Sequence, residues 1–327
     1  SLIYGVNVEN KTISSVEQDI YLSGDDVIEN QVLLKDTISV ALPTIEIMDI
    51  GAMFEDTDRY FPLISQGLGR VTGFEPNSES LEKLKKREGP YKYLPYFLGN
   101  GEEAKFHRTR YPGCSSLLEP NDNLINLFTS ISTEPELEGN FEVVETMDVK
   151  TKRLDDIHEI EIPDYMKIDV QGAELLIMEY ATNTMTNTLV LETEVEFVPI
   201  YKNQPLFGDI QKFLVERGFI LHKLVDIGGR TLRPVRMSPK ITKSISQVLW
   251  ADAIFIRDYS NLETFDDDQL LKASLILNDI YMSYDVVLYM LAEYDRRCGS
   301  NLKLEYTKNI ENVQGLKHLY MNLKEEF

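Results

Sequence analysis

The hydrophobic positions change their period several times along the chain. From Thr44 a β-prone run of Ile45, Ile47, Met48 and Ile50 leads into Gly51. Steps of three and four residues follow, with Tyr60, Phe61, Ile64 and Leu68 on one face, and they predict a helix over 57–68. Residues 71–74 form a second strand that ends in Glu75-Pro76-Asn77. Ser78 stands where it can cap a helix over 79–87, which Gly89-Pro90 stops. Residues 91–98 make a third strand, ending at Gly99-Asn100-Gly101. Strand–helix–strand–helix–strand predicts a parallel sheet with right-handed crossovers, an α/β fold.

The rhythm weakens over 102–163. The pattern there predicts a strand or hairpin at 104–109, a short helix at 121–131, a strand at 141–151 and a helical turn opening at Leu154. It returns with strands at 165–170 and 188–196, a helix at 173–180, and a helix at 210–217 closed by Gly218. Strands at 219–226 and 248–257 then end the sheet in an antiparallel hairpin. Over 266–295 the apolar positions Leu270, Leu271, Leu277, Ile280, Tyr284, Val287, Leu288 and Leu291 predict one long helix. Asp266, Asp267 and Asp268 at its start and Arg296-Arg297 at its end complement the helix dipole. Another helix is expected in 301–327. The chain thus divides into a lead-in or cap (1–40), a seven-stranded α/β domain (41–259) and a helical extension (260–327). The wide apolar stripe of that extension either packs on the core or forms a homodimer contact.

Charge narrows the partners. The 327 residues carry a net charge of -21, which repels phosphate backbones and anionic lipid, so nucleic acid is not an expected partner. The two cysteines, Cys114 and Cys298, form no CxxC pair and no zinc cluster, and their scarcity fits a reducing compartment, the cytoplasm. No apolar run approaches the ~18 residues of a membrane span. The first fifteen residues lack the basic and apolar parts of a secretory signal. One stretch runs against the overall charge. Between Gly228 and Leu249 there is no acid, while Arg230, Arg233, Arg236, Lys240 and Lys243 are present. This loop either draws an anionic acceptor, such as a phosphate- or nucleotide-linked sugar, toward the sheet, or pairs with surface acids nearby.

The strand ends carry the candidate chemistry. The first gives Asp49-Ile50-Gly51-Ala52 and the second gives Glu75, 24 residues after Gly51. Small residues after the first strand let backbone approach a ligand, and an acid after the second accepts hydrogen bonds from ribose hydroxyls. Ligands of open α/β sheets bind outside the carboxyl ends of the strands, so Asp49, Gly51, Glu75, Gly99, Asp169 and Glu194 are expected around one crevice. A nicotinamide dinucleotide wants GxGxxG for its pyrophosphate. Here the run is Gly51-Ala52-Met53-Phe54-Glu55-Asp56, with one glycine and two acids that would repel phosphate. That argues against a nicotinamide-dependent dehydrogenase. S-adenosylmethionine, which has no phosphate and carries cationic groups, suits the loop better.

These motifs, in this order, resemble the FkbM-type methyltransferases, a family of class I S-adenosylmethionine-dependent enzymes. The resemblance runs from about Ile47 to Tyr201 and on to Asp258. It rests on MDIGAMFEDTDRY at 48–60, TGFEPN at 72–77, CSSLLEP at 114–120, TKRLDDI at 151–157, MKIDVQGAELLIM at 166–178, LETEVEFVPIY at 191–201 and ADAIFIRD at 251–258. KIDVQGAE is the most specific of them. Met53 and Phe54 depart from the small or polar residues of many relatives, and roughly the last 70 residues lie outside the likeness. The resemblance implies a Rossmann-like class I methyltransferase sheet with S-adenosylmethionine as cofactor. It implies that Asp49, Gly51 and Ala52 line the methionine end, that Glu75 and Pro76 hold the ribose, and that Asn77, Leu98 and Gly99 lie toward the adenine. Ser115 and Ser116 would bond near the cofactor or close the pocket, unless they form an ordinary turn. Asp169 would lie closest to the transferred methyl.

The expected reaction is O-methylation of a sugar or small-molecule hydroxyl. Such a nucleophile needs a base as its bond forms, and the candidates are Asp169, Glu194 and His107. Glu174 and Glu196, with Arg230, Arg233 and Arg236, are candidates for binding the acceptor; Glu174 could instead serve the N-terminus of its own helix. Paired acids without a third and fourth ligand do not predict a metal. A non-catalytic binding or assembly module remains the reading from another class.

Overall fold

The computed structural model describes residues 32–53, 58–235 and 244–310. Its strands are β1 (Ile45–Ile50), β2 (Gly69–Phe74), β3 (Tyr91–Leu94), β4 (Phe97–Leu98), β5 (Glu103–Thr109), β6 (Val143–Lys152), β7 (Tyr165–Ile168), β8 (Val190–Glu196), β9 (Phe219–Gly229) and β10 (Val248–Arg257). Its α-helices are α1 (Phe61–Ser65), α2 (Ser78–Leu84), α3 (Asp122–Ile125), α4 (Glu174–Glu179), α5 (Phe207–Val215), α6 (Asp267–Asp279), α7 (Tyr284–Cys298) and α8 (Leu302–Ile310). Seven strands form one sheet in the order β3-β2-β1-β7-β8-β10-β9, and β4-β6-β5 form a small second sheet. β3, β2, β1, β7 and β8 are parallel, whereas β10 runs antiparallel to both β8 and β9. The result is the α/β sheet with a closing hairpin that the hydrophobic pattern predicts.

Alternation along each strand sends successive side chains to opposite faces. Ile45, Ile47, Val71, Tyr165, Ile254 and Ile256 pack on one side with Leu270, Leu275, Ile276, Val287 and Leu291 of α6 and α7. Met48, Ile50, Phe74, Met166, Ile168, Leu191 and Phe255 pack on the other with Ile177 and Met178 of α4 and Ile210 and Leu214 of α5. A third cluster of Cys114, Ile125, Phe128, Ile131, Phe141, Ile200, Tyr201 and Leu249 joins the irregular 110–142 segment to the ends of β8 and β10.

The expected long helix over 266–295 is two helices. Met282 adopts a left-handed φ of 51°, and Ser283 N donates to Leu277 O at 2.9 Å, which turns the chain between α6 and α7. Three- and four-residue steps continue across the break because both helices bury wide stripes, so the period alone does not reveal it. The extension also belongs to the core of the sheet. Both α6 and α7 lie within the cluster that covers one face, and the stripe that suggested a dimer contact is used within the chain. The lead-in joins the same body: Leu34 N donates to Asp279 Oδ1 at 2.9 Å, and Asn278 Nδ2 donates to Val32 O at 2.8 Å.

Three local expectations change. The third strand stops at Leu94, because Pro95 has no N–H to continue the ladder, and Phe97–Leu98 pairs instead with β6. Asn77, not Ser78, caps α2, accepting from Ser80 N at 3.0 Å. The predicted 57–68 helix is confined to Phe61–Ser65 among the described residues.

Leu275 is fully buried between the sheet and α7. Leu275→Ala should cost about 2–5 kcal/mol in urea unfolding. The exposed Leu304→Ala should stay within about 0.5 kcal/mol of the parent chain.

Candidate active site

The strand order reverses between β1 and β7, and the carboxyl ends of strands beside such a switch point form a ligand crevice. Gly51 closes β1 there with φ +85°. A Cβ on it would stand 1.8 Å from the carbonyl oxygen of Asp169, at the end of β7. Only glycine lets the two backbones come this close. Gly51 N and Ala52 N both donate to Phe74 O, at 3.2 and 3.0 Å, which ties the turn to β2. Ala52 is buried against Leu81, Leu84 and Tyr93, so it supports the turn from behind.

Two carboxylates flank this turn. Asp49 is buried; Tyr60 Oη donates to its Oδ2 at 2.7 Å, and its Oδ1 has no partner. Burial raises its proton affinity, opposed by the charge of Lys167 and the bond from Tyr60. Glu75, just past β2, accepts from Asn77 N at 2.6 Å, and burial pushes its pKa up to about 7. A bare backbone turn, an orphaned buried carboxylate oxygen and a second acid at the end of the neighbouring strand suit an adenosyl group with a cationic tail. Asp49 would hold an ammonium, Gly51 would lie against the chain, and Glu75 would hold the ribose.

The sequence-based assignments around the adenine end separate. Pro76 stays beside Glu75 and is half-buried, while the Asn77 side chain is occupied as the cap of α2. Leu98 and Gly99 do not end the third strand of the large sheet. Leu98 is a core residue, and Gly99 N donates to Lys152 O in the small sheet. The large sheet instead presents Leu94 beside Glu75, whose N–H donates to Leu94 O at 3.1 Å.

On the other side of the switch point a single amide joins two acids. Gln171 Nε2 donates to Asp169 Oδ1 at 2.9 Å and to Glu194 Oε2 at 2.5 Å. Tyr201 Oη lies 3.1 Å from Gln171 Oε1 and 2.9 Å from Cys114 O, its single hydrogen shared between the two carbonyl oxygens. Ser116 Oγ donates to the backbone carbonyl of Gln171 at 2.6 Å, which brings Ser116 into the site. Ser115 is instead part of a turn, accepting from Thr109 N at 3.1 Å. Glu194 is half-buried; burial, then the charges of Asp169, Glu196, Glu174 and Asp252, raise its pKa well above the usual carboxylate range.

Glu174 and Glu196 are not placed to meet an acceptor. Glu174 is 1% exposed and accepts from Val170 N at 2.9 Å and Gly172 N at 3.1 Å, so it braces the turn before α4. Burial pushes its pKa up to about 7. Glu196 is 2% exposed, and burial together with the charge of Glu174 raises its pKa strongly. His107 lies on the small sheet, where its Nδ1 is 3.1 Å from Thr146 Oγ1, and no bond joins it to the acids. Arg233 is spent on Glu138 at 2.5 Å and on Ile131 O at 3.2 Å. Arg230 lies over the Trp250 ring, 4.7 Å from its centroid. Arg236, like Phe54, lies outside the described residues.

Sequence reasoning passed over four side chains. Gln171, Tyr201 and Tyr60 orient the acids, and Arg59 sits in a buried polar knot. Its Nε lies 3.1 Å from Glu192 and its Nη2 lies 2.6 and 2.7 Å from Asp226 and Asp252. Tyr165 and Tyr281 add their hydroxyls to Glu192 at 2.8 and 2.5 Å. Arg59 and Tyr60 lie in the motif at 48–60, which could have marked them; Tyr60 meets Asp49 of β1, whereas Arg59 meets acids on β8, β9 and β10.

An open, mostly parallel sheet whose order reverses at this turn, with acids at its strand ends, has the Rossmann-like architecture. The sequence matches the methyltransferase FkbM domain over residues 49–221, more than half of the chain, and the protein belongs to that family. Its cofactor is S-adenosylmethionine. No curated protein gives a significant match. Among solved structures, magnesium protoporphyrin IX methyltransferase from Synechocystis PCC 6803 with bound SAM is 11% identical, over 66% of this chain and 71% of that one, with a TM-score of 0.32. A putative methyltransferase from Thermoplasma acidophilum is 10% identical over 67% and 70%, also with a TM-score of 0.32. A TehB-like SAM-dependent methyltransferase from Corynebacterium glutamicum is 11% identical over 70% and 90%, again at 0.32. These scores are low, and the assignment rests on the family match and the strand order.

Glu75 gives a test with two opposite signs. Its folded pKa of about 7 lies above its unfolded value, so ionising it in the free protein costs stability as pH rises from about 4.5 to 7. Glu75→Gln should stabilise the cofactor-free chain at pH 8, by on the order of 1–3 kcal/mol. The same change should weaken S-adenosylhomocysteine binding at least tenfold in calorimetry. It should also remove the loss of affinity that the parent chain shows below pH 7.

Proposed function

We propose that the enzyme is an O-methyltransferase acting on a hydroxyl of a sugar or other small polyol, with Glu194 as general base. The observation that carries this reading is the Asp169–Gln171–Glu194 cluster beside the switch point. When bound, S-adenosylmethionine supplies an electrophilic methyl on a sulfonium. Glu194 accepts the acceptor's proton, and its raised proton affinity moves it from the ordinary carboxylate range toward the working pH of a base. Asp169, also in the cluster, orients the acceptor through its second oxygen. Carboxylates are hydrogen-bond acceptors, so this side of the crevice suits hydroxyl donors. With Arg233 paired to Glu138, a neutral polyol fits better than the phosphate-linked acceptor that the basic loop suggested.

Among the described residues no helix is long and apolar enough to cross a membrane, and both cysteines are free. We place the enzyme in the cytoplasm, where its cofactor is made available and thiols stay reduced.

The test is transfer of labelled methyl from S-adenosylmethionine to a panel of neutral, phosphorylated and nucleotide-linked sugars. Label should enter neutral hydroxyls most readily. Glu194→Gln should lower the rate about 10²–10⁴-fold while S-adenosylhomocysteine affinity stays within a few-fold. A full rate in Glu194→Gln removes the base, and a panel left unlabelled by a cofactor-binding enzyme removes the acceptor class.

A further inference from the structure

We propose that Gln171 is the positioning residue of the acceptor side, holding Asp169 and Glu194 as one oriented pair by giving each of them a hydrogen of its amide. The inference rests on the reading of those two acids as the acceptor-side pair. A primary amide nitrogen has two hydrogens, and the bonds of 2.9 and 2.5 Å to Asp169 and Glu194 use both. The amide has one orientation available. Its oxygen lies 3.1 Å from Tyr201 Oη, whose single hydrogen is shared with Cys114 O, and its nitrogen faces the acids.

The backbone beneath is clamped as firmly. Gln171 has φ +59° and Gly172 φ +101°, an arrangement that a non-glycine residue adopts only when its surroundings impose it. Ser116 Oγ holds the carbonyl of Gln171, and Glu174 holds the N–H groups on either side, of Val170 and Gly172. A Cβ on Gly172 would meet Gln204 Nε2 at 2.9 Å, so the turn is also closed from the side of Gln204. Tyr201 therefore meets the side chain while Ser116 and Glu174 hold the backbone around it, and among the described residues the amide nitrogen bonds to the two acids alone. A residue needed only for packing would not require its donor to be aimed in this way.

Removing the shared donor leaves Glu194 facing Asp169, Glu196, Glu174 and Asp252 without the amide hydrogen, with Lys167, 4.0 Å from Asp169 Oδ2, as the cation beside the pair, so Glu194 then holds its proton more tightly. The test is a carboxyl NMR titration of the full chain carrying labelled glutamate and aspartate, with Glu194→Gln and Asp169→Asn as assignment standards. In Gln171→Ala the Glu194 midpoint should rise by about one pH unit, a tenfold gain in proton affinity. In Gln171→Glu, which adds a third acid, it should rise further. Tyr201→Phe keeps the volume and removes the anchor that sets the orientation of the amide, and it should move the midpoint in the same direction by less. It supplies the readout if Gln171→Ala does not fold, as judged by circular dichroism. Unmoved midpoints in folded variants overturn the proposal. No acceptor is present in this titration, so its failure is distinct from failure of the methylation panel.

Discussion

The contact between the turn after β1 and the end of β7 is the constraint on which the site depends. The backbone of Gly51 lies so close to the carbonyl of Asp169 that no side chain fits between them. That approach sets where both strands stop. It puts Asp49 and Glu75 on one side of the switch point and the Asp169–Gln171–Glu194 cluster on the other. A methyl transfer needs nucleophile, methyl and leaving sulfur in line, and most of the acceleration comes from holding them so. Here the alignment is built into the spacing of two adjacent strands.

The acids around that opening are expensive to bury, and the fold compensates them unequally. Glu192 and Asp252 lie next to Arg59, and Glu192 also receives the hydroxyls of Tyr165 and Tyr281. This knot ties the segment after the β1 turn to β8, to β10 and to the bend between α6 and α7. The C-terminal helices therefore cover one face of the sheet and, through Tyr281, reach Glu192 within it. Glu75, Asp49 and Glu194 keep oxygen atoms or proton affinity in reserve, as expected where function takes precedence over stability.

Much of the fold was legible in the chain. Period-two runs, glycine stops and the acids at the strand ends gave the parallel strands and their order of use, and the KIDVQGAE stretch gave the family. The misreadings have local physical causes. Pro95 diverts the chain after Leu94, which periodicity alone does not register, and so Leu98 and Gly99 were assigned to the wrong sheet. A left-handed Met282 splits a stripe that looks continuous. Asp49, Glu75, Asp169 and Glu194 lie at or just past strand ends, where the spacing placed them. Partners across distant segments could not be read: Arg233 finds Glu138, and Gln171 and Tyr201 meet across 30 residues. Side-chain pairing across distant segments leaves no periodic trace.

The central claim is that the adenosyl cofactor enters at the β1–β7 switch point, and a crystal structure with S-adenosylhomocysteine bound tests it most directly. The account predicts the ribose hydroxyls on Glu75, the amino group within reach of Asp49 Oδ1, and the sulfur opening toward Asp169. Density for the ligand anywhere else, or a ribose held by residues other than Glu75, would contradict it.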